Sequence, residues 1–166
     1  MLEVWVANAS PVILLAKAEA FGLLAQLPGQ LVVPRGVFAE VTAAGPADPG
    51  AVALGDPTGY QLVEIAAVHP NVAGWDLGRG ESEVLTWALD NPPAIAVLDD
   101  RQARAAARSL GVRTIGTIGV VVRARRAGHI VSARAMIERL RAEGLRLGEA
   151  IFEEALRLAR ELPPVP

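Results

Sequence analysis

Short apolar runs alternate along the chain with stretches whose apolar residues recur every three to four positions, and the two patterns divide it into strands and helices. Leu2 to Ala7 reads as a strand. Asn8, Ser10 and Pro11 then mark a strand end and a helix start, with Ser10 as cap and Pro11 in the first turn. That helix runs through Ile13 to Ala16, a second short one covers Phe21 to Leu27, and Leu31 to Val33 forms the next strand. Pro34 opens a helix to about Ala44. Residues 45–59 hold four Gly and three Pro, predicting a flexible surface loop with at most one helical turn near Ala51 to Leu54.

Gln61 to Val68 predicts a strand near a sheet edge, since it carries Glu64 and ends at His69-Pro70. After a loop to Gly80, Glu81 to Asn91 is helical. Ala94 to Leu98 is continuously apolar and stops abruptly at Asp99-Asp100, as a strand buried on both faces of a parallel sheet does. Asp100 to Leu110 is a helix, Val112 to Ile115 a strand, and Thr117 to Ala127 and Ser132 to Glu143 are helices closed by Gly128 and Gly144. A C-terminal helix spans about 149–161. This alternation predicts a single doubly wound α/β domain over residues 1–166.

Composition narrows the class. The chain has 166 residues, 52% of them apolar and 20% charged, too apolar for disorder, and no uncharged run is long enough for a membrane span. Glu3 interrupts the first apolar stretch and no basic segment precedes it, so a cytoplasmic protein without a membrane partner is expected. With no Cys and only His69 and His129, disulfides are excluded and a zinc site would have to lean on carboxylates. Charge is the more telling feature. Residues 1–100 hold three basic and twelve acidic side chains, residues 101–166 thirteen and six, and the stretch from Arg101 to Ile137 has eight arginines and no acid. Such a segment suits either a phosphate-bearing partner or a plain solvated face.

In open parallel sheets the ligand crevice lies beyond the carboxyl ends of the strands. Asn8 with Ser10, Asp99 with Asp100, and Thr114 with Thr117 all sit at predicted strand ends. Glu81 joins them because it precedes Val84 and Leu85 by three and four residues, placing a carboxylate on the sheet-facing side of its helix. Glu81 could also complement the helix dipole, and Asp99 or Asp100 could cap the following helix. Together, Glu81, Asp99 and Asp100 offer oxygen ligands suited to Mg²⁺ or Mn²⁺. Arg101, Arg104 and Arg108 recur at helical spacing beside them and are the candidate phosphate contacts. A metal pocket with a basic rim suits phosphodiester hydrolysis.

At these residues the chain resembles the PIN-domain superfamily of metal-dependent ribonucleases, which includes VapC-type toxins. The resemblance rests on N-A-S-P-V-I from Asn8, L-G-R-G-E-S-E-V-L around Glu81, L-D-D-R-Q-A-R from Leu98, G-T-I-G-V from Gly116 and A-R-R-A-G from Ala124, and spans about residues 2–160. It implies a three-layer α/β/α PIN-like domain with a mostly parallel central sheet. Divalent metal would be held by about four acidic or polar residues, and RNA cut by an activated water. Carried over, the first acid falls on Asn8, the second on Glu81, the third on Asp99 with Asp100 as close alternative, and the hydroxyl neighbours on Ser10 and Thr117. Asn8 is a departure, since an amide oxygen ligates without charge, and the fourth acid of many PIN nucleases has no counterpart.

The expectation is therefore a Mg²⁺- or Mn²⁺-dependent endoribonuclease with catalytic residues Glu81, Asp99, Asp100 and Asn8, weakened by the amide. It would be the toxin of a toxin–antitoxin pair, with RNA, an antitoxin protein and a homodimer mate as partners. The alternative is a PIN-like module that binds nucleic acid or protein without cutting. A phosphoryl-accepting receiver domain is disfavoured, because the only lysine, Lys17, lies in the first predicted helix rather than at a late strand end.

Overall fold

The computed structural model describes residues 2–163. Five strands, β1 (Val4–Ala7), β2 (Gln30–Pro34), β3 (Gln61–Val63), β4 (Ile95–Val97) and β5 (Arg113–Ile115), form one sheet in the order β3-β2-β1-β4-β5. Every pairing is parallel. Parallel neighbours need crossovers, and helices supply them. Between β1 and β2 lie α1 (Ala9–Lys17) and α2 (Gly22–Gln26), and between β2 and β3 lie α3 (Arg35–Thr42) and α4 (Pro49–Leu54). The path from β3 to β4 carries α5 (Pro70–Ala73) and α6 (Arg79–Asp90), and α7 (Arg101–Ser109) joins β4 to β5. After β5 come α8 (Thr117–Arg126), α9 (Ala133–Ala142) and α10 (Glu149–Leu158). The result is a three-layer α/β/α domain with a wholly parallel sheet.

Burial explains the apolar runs. Val6, Ala7, Val32, Val33, Ala96 and Val97 are fully buried, as central strands covered on both faces must be. Across β2, β1 and β4 lies α6, while α8 packs with α1, α2, α9 and α10. Among the described residues no helix is long and apolar enough to cross a membrane.

Several boundaries differ from the sequence reading, for local reasons. Asn8, not Ser10, occupies the cap position of α1, and Ser10 is exposed within that helix. Residues 45–59 are not merely a loop. Asp48 accepts the Gly50 amide to start α4, Asp56 accepts the Thr58 amide to start a 3-10 turn at Pro57–Gly59, and Tyr60 donates its hydroxyl to Leu54 O at 2.7 Å. The strand read as Gln61 to Val68 stops at Val63, because β2, the strand it pairs with, gives way to α3 after Pro34. It does lie at an edge. Within the loop expected up to Gly80, His69 caps α5 by accepting the Asn71 amide at 3.1 Å. The C-terminal helix ends at Leu158 rather than residue 161.

Candidate functional site

The order of strands reverses between β1 and β4, so the crevice forms at their carboxyl ends. Asn8 follows β1 and donates its backbone amide to Val97 O at 3.1 Å; Asp99 follows β4 by two residues. The two lie at the ends of adjacent strands.

Asn8 is buried, and its side chain departs from the usual behaviour of its position. Asp48, Asp56, His69, Asp100 and Ser132 all cap their helices through the side chain, whereas Asn8 makes no cap bond. Forgoing a cap costs about 1 kcal/mol. The Asn8 Nδ2 instead donates to Glu81 Oε1 at 3.0 Å, across 73 residues of chain. A carboxylate only accepts, so the amide nitrogen must face it, and Oδ1 must point the other way. That Oδ1 is buried with no hydrogen-bond partner.

Gly80 shows what the orphaned oxygen faces. A Cβ on Gly80 would stand 2.8 Å from Asn8 Oδ1 and 3.0 Å from Glu40 Oε2, so glycine leaves open the small space those two oxygens share. Glu40 comes from α3, and burial first and the Glu81 charge second push its carboxyl above the usual carboxylate range. Asn8, Glu40 and Glu81 thus form an acidic corner in which, among the described residues, Asn8 Nδ2 donates to Glu81 while Asn8 Oδ1 has no donor.

Glu40 does not figure among the residues the sequence singles out. The one signal is spacing: an acid three residues after Val37, on a helix whose Val37 and Val41 face the core, although Glu40 itself is exposed and only its carboxylate reaches the corner.

On the β4 side, Asp99 Oδ1 accepts the Thr117 amide at 2.7 Å and Oδ2 accepts the Thr117 hydroxyl at 2.6 Å, tying the strand end to the start of α8. Thr117 is fully buried. Asp100 is exposed and spends Oδ1 on the Ala103 amide at 2.8 Å, capping α7. Arg101, Arg104 and Arg108 are exposed along one stripe of α7, opposite buried Ala103, Ala106 and Ala107. Arg104 reaches back toward the crevice: a Cβ on Gly116 would stand 2.8 Å from its Nη1 and 3.1 Å from Asp99 Oδ1. Asp99, Arg101 and Arg104 also stand at one end of a groove of about 610 Å³ between α8 and α10, walled by Ile118, Val122, Leu147, Ile151 and Leu158.

A PIN-domain family model matches residues 4–161. The chain belongs to the PIN-domain family. No curated protein and no solved structure matches it. PIN domains in general use divalent metal ions, and the corner can be tested against that requirement. Among the described residues no three carboxylates and imidazoles converge to hold an ion by themselves. Asn8 Oδ1 and Glu40 Oε2 do share the space at Gly80, however, with the Glu81 carboxylate held on the nitrogen side of the same amide; all are hard oxygen donors, and a magnesium-like ion commonly takes only one or two carboxylates beside water. The buried Asn8 Oδ1 is an acceptor that lacks a partner, a lack that a cation beside it would meet. In this PIN domain Asn8, Glu40 and Glu81 therefore fit a divalent cation.

Proposed function

We propose that this PIN domain is a metal-dependent endoribonuclease of the VapC type, the toxin of a toxin–antitoxin pair acting in the cytoplasm. The orphaned, buried Asn8 Oδ1 carries the reading, because it faces the same small space as Glu40 while Asn8 Nδ2 holds Glu81. Mg²⁺ or Mn²⁺ held by Asn8, Glu40 and Glu81 would polarise a phosphodiester and lower the pKa of an attacking water. Asn8 fixes the Glu81 carboxylate through its amide, and the Thr117 backbone and hydroxyl fix Asp99 at the adjoining strand end. Asp100 supports this arrangement by starting α7, the helix that presents Arg101, Arg104 and Arg108 to the RNA phosphates. Ser10, exposed one turn from the strand end, would meet the RNA backbone.

Calorimetric Mn²⁺ titration and RNA cleavage test the reading. The parent should bind Mn²⁺ and cut RNA, and Glu81→Gln should lose both by more than the roughly 100-fold upper range typical of supporting residues. A parent that binds no metal would overturn it.

A second reading has its own observation. The amide at Asn8 brings no charge, and the groove beside Asp99 carries Arg101, Arg104 and Arg146 around an apolar trough, as a surface for an anionic amphipathic partner would. A chain that binds RNA or a partner protein with unchanged affinity in Glu81→Gln, and cuts nothing, would be a non-catalytic PIN module.

A further inference from the structure

We propose that Glu83 is a positioning residue whose buried carboxylate clasps α3 to α6 and thereby sets the spacing of Glu40 from Glu81. The proposal rests on the corner being a divalent-cation site. Glu83 is only 5% exposed, a placement that is costly for a carboxylate unless its oxygens are satisfied. Both are. Oε1 accepts Arg79 Nε at 2.7 Å from the same helix, and Oε2 accepts the Gly36 amide at 2.7 Å from the other.

Gly36 lies in the first turn of α3, where an amide has no partner within its own helix. Its lack of a side chain is a requirement of the contact, since a Cβ there would stand 2.5 Å from Glu83 Oε1. The consequence is a short mechanical path. Glu83 follows Glu81 by two residues on α6, and Glu40 follows Gly36 by four on α3, about one turn farther along the same face. The bond between Gly36 and Glu83 therefore ties together the two helices that carry the acids.

The bond across the helices is the one from the Gly36 amide, since Arg79 lies on α6 with Glu83 and holds the other oxygen from the solvent side. Glu40 and Glu81 reach their corner from these same two helices, so a bond that fixes α3 against α6 fixes how far apart the two carboxylates stand.

Two variants separate positioning from simple stability. Glu83→Gln keeps the shape and an acceptor but loses the charge, and Gly36→Ala keeps Glu83 charged but pushes a methyl against it. Foldedness is read by circular dichroism and thermal melting, Mn²⁺ affinity by calorimetry on the whole chain without RNA, and cleavage across a range of Mn²⁺. Both variants should fold and bind Mn²⁺ about tenfold more weakly, in the range seen when residues behind metal ligands are changed. Cleavage should fall at limiting Mn²⁺ and recover when Mn²⁺ is raised about tenfold, with KM for RNA unchanged; a general loss of structure would not be rescued in this way.

Should one variant fail to fold, Arg79→Gln, at an exposed position, takes its place with a smaller loss of Mn²⁺ affinity. Parent-like Mn²⁺ affinity in the folded variants overturns the proposal. If the parent itself binds no Mn²⁺, the nuclease reading fails separately. The clasp is then judged on metal-free protein by the Glu40 carboxyl ¹³C resonance at fixed pH, which must move in both variants; an unmoved resonance overturns it.

Discussion

Glu161 and Glu40 are both glutamates packed against helices, and they differ in what surrounds the carboxylate. Around Glu161, Arg125 Nε donates at 3.0 Å, the Arg134 amide at 3.1 Å, the Ser132 hydroxyl at 3.3 Å, and the Ala133 amide closes the set. Burial pushes its carboxyl up, but these donors outweigh burial and hold it below the usual range. The carboxylate latches the start of α9. Glu40 has the opposite surroundings: burial and Glu81 raise it, and the nearby Asn8 carbonyl is an acceptor too. An acid alone does not mark a site. A shortage of donors around several converging acceptors does, because a fold has no structural reason to keep them together.

Asn8→Asp should sharpen this contrast most. A third carboxylate, adding a full charge at about 4 Å, is worth about 4 kcal/mol at an effective dielectric of about 20 before desolvation, so Mn²⁺ binding and cleavage should both rise. Without metal the variant should melt several degrees lower, since the amide bond to Glu81 becomes a like-charge contact. Calorimetry with and without Mn²⁺ checks both halves. No gain in affinity in a folded variant would leave the corner as an ordinary crowded surface.

Arginines give the next comparison. Arg125 is tied to Glu161, whereas Arg101, Arg104 and Arg108 form no ion pair with an acid among the described residues. Replacing those three with Ala should weaken RNA binding and flatten its salt dependence by about 0.7 in log-log slope for each phosphate that is no longer neutralised. Arg125→Ala should lower stability and leave the slope alone. Equal slopes in both variants would place the RNA face elsewhere.

Glu161→Gln should cost about 1–3 kcal/mol at neutral pH by weakening charge-assisted bonds at a largely buried group. Because its folded pKa is depressed, this stabilisation is present above the unfolded value and lost as pH falls through the folded one. Parent and variant melting curves should converge in acid. The smallest effect belongs to Glu40→Gln. Its raised pKa means that stability falls as pH rises through the folded value, so the metal-free variant should be slightly more stable than the parent at neutral pH and equal to it in acid.

Much of the fold is legible in the pattern of residues. Strand ends at Asn8 and Asp99 follow from apolar runs that stop at polar residues, and Glu81 from a carboxylate on a sheet-facing stripe. Glu40 is harder to see, because its helix reads as a plain crossover and its acid as one more surface charge. The clasp between Gly36 and Glu83 and the opening at Gly80 depend on atoms brought together from distant segments, and no periodicity encodes them. The length of β3 depends on its neighbour: the sequence of residues 64–68 permits a strand, but β2 has already turned into α3.

The bond from Asn8 to Glu81 joins residues 73 positions apart, and the clasp from Gly36 to Glu83 spans 47. Contacts this distant in sequence are the last to repay the entropy of closing their loops, so parallel sheets of this kind fold slowly. The acidic corner therefore has no meaning in a fragment or a partly folded chain: residue 8 waits for residue 81, and the helix carrying residue 40 waits for residue 83. Refolding experiments should recover helical signal before metal affinity, with the delay measuring how late the central strands close.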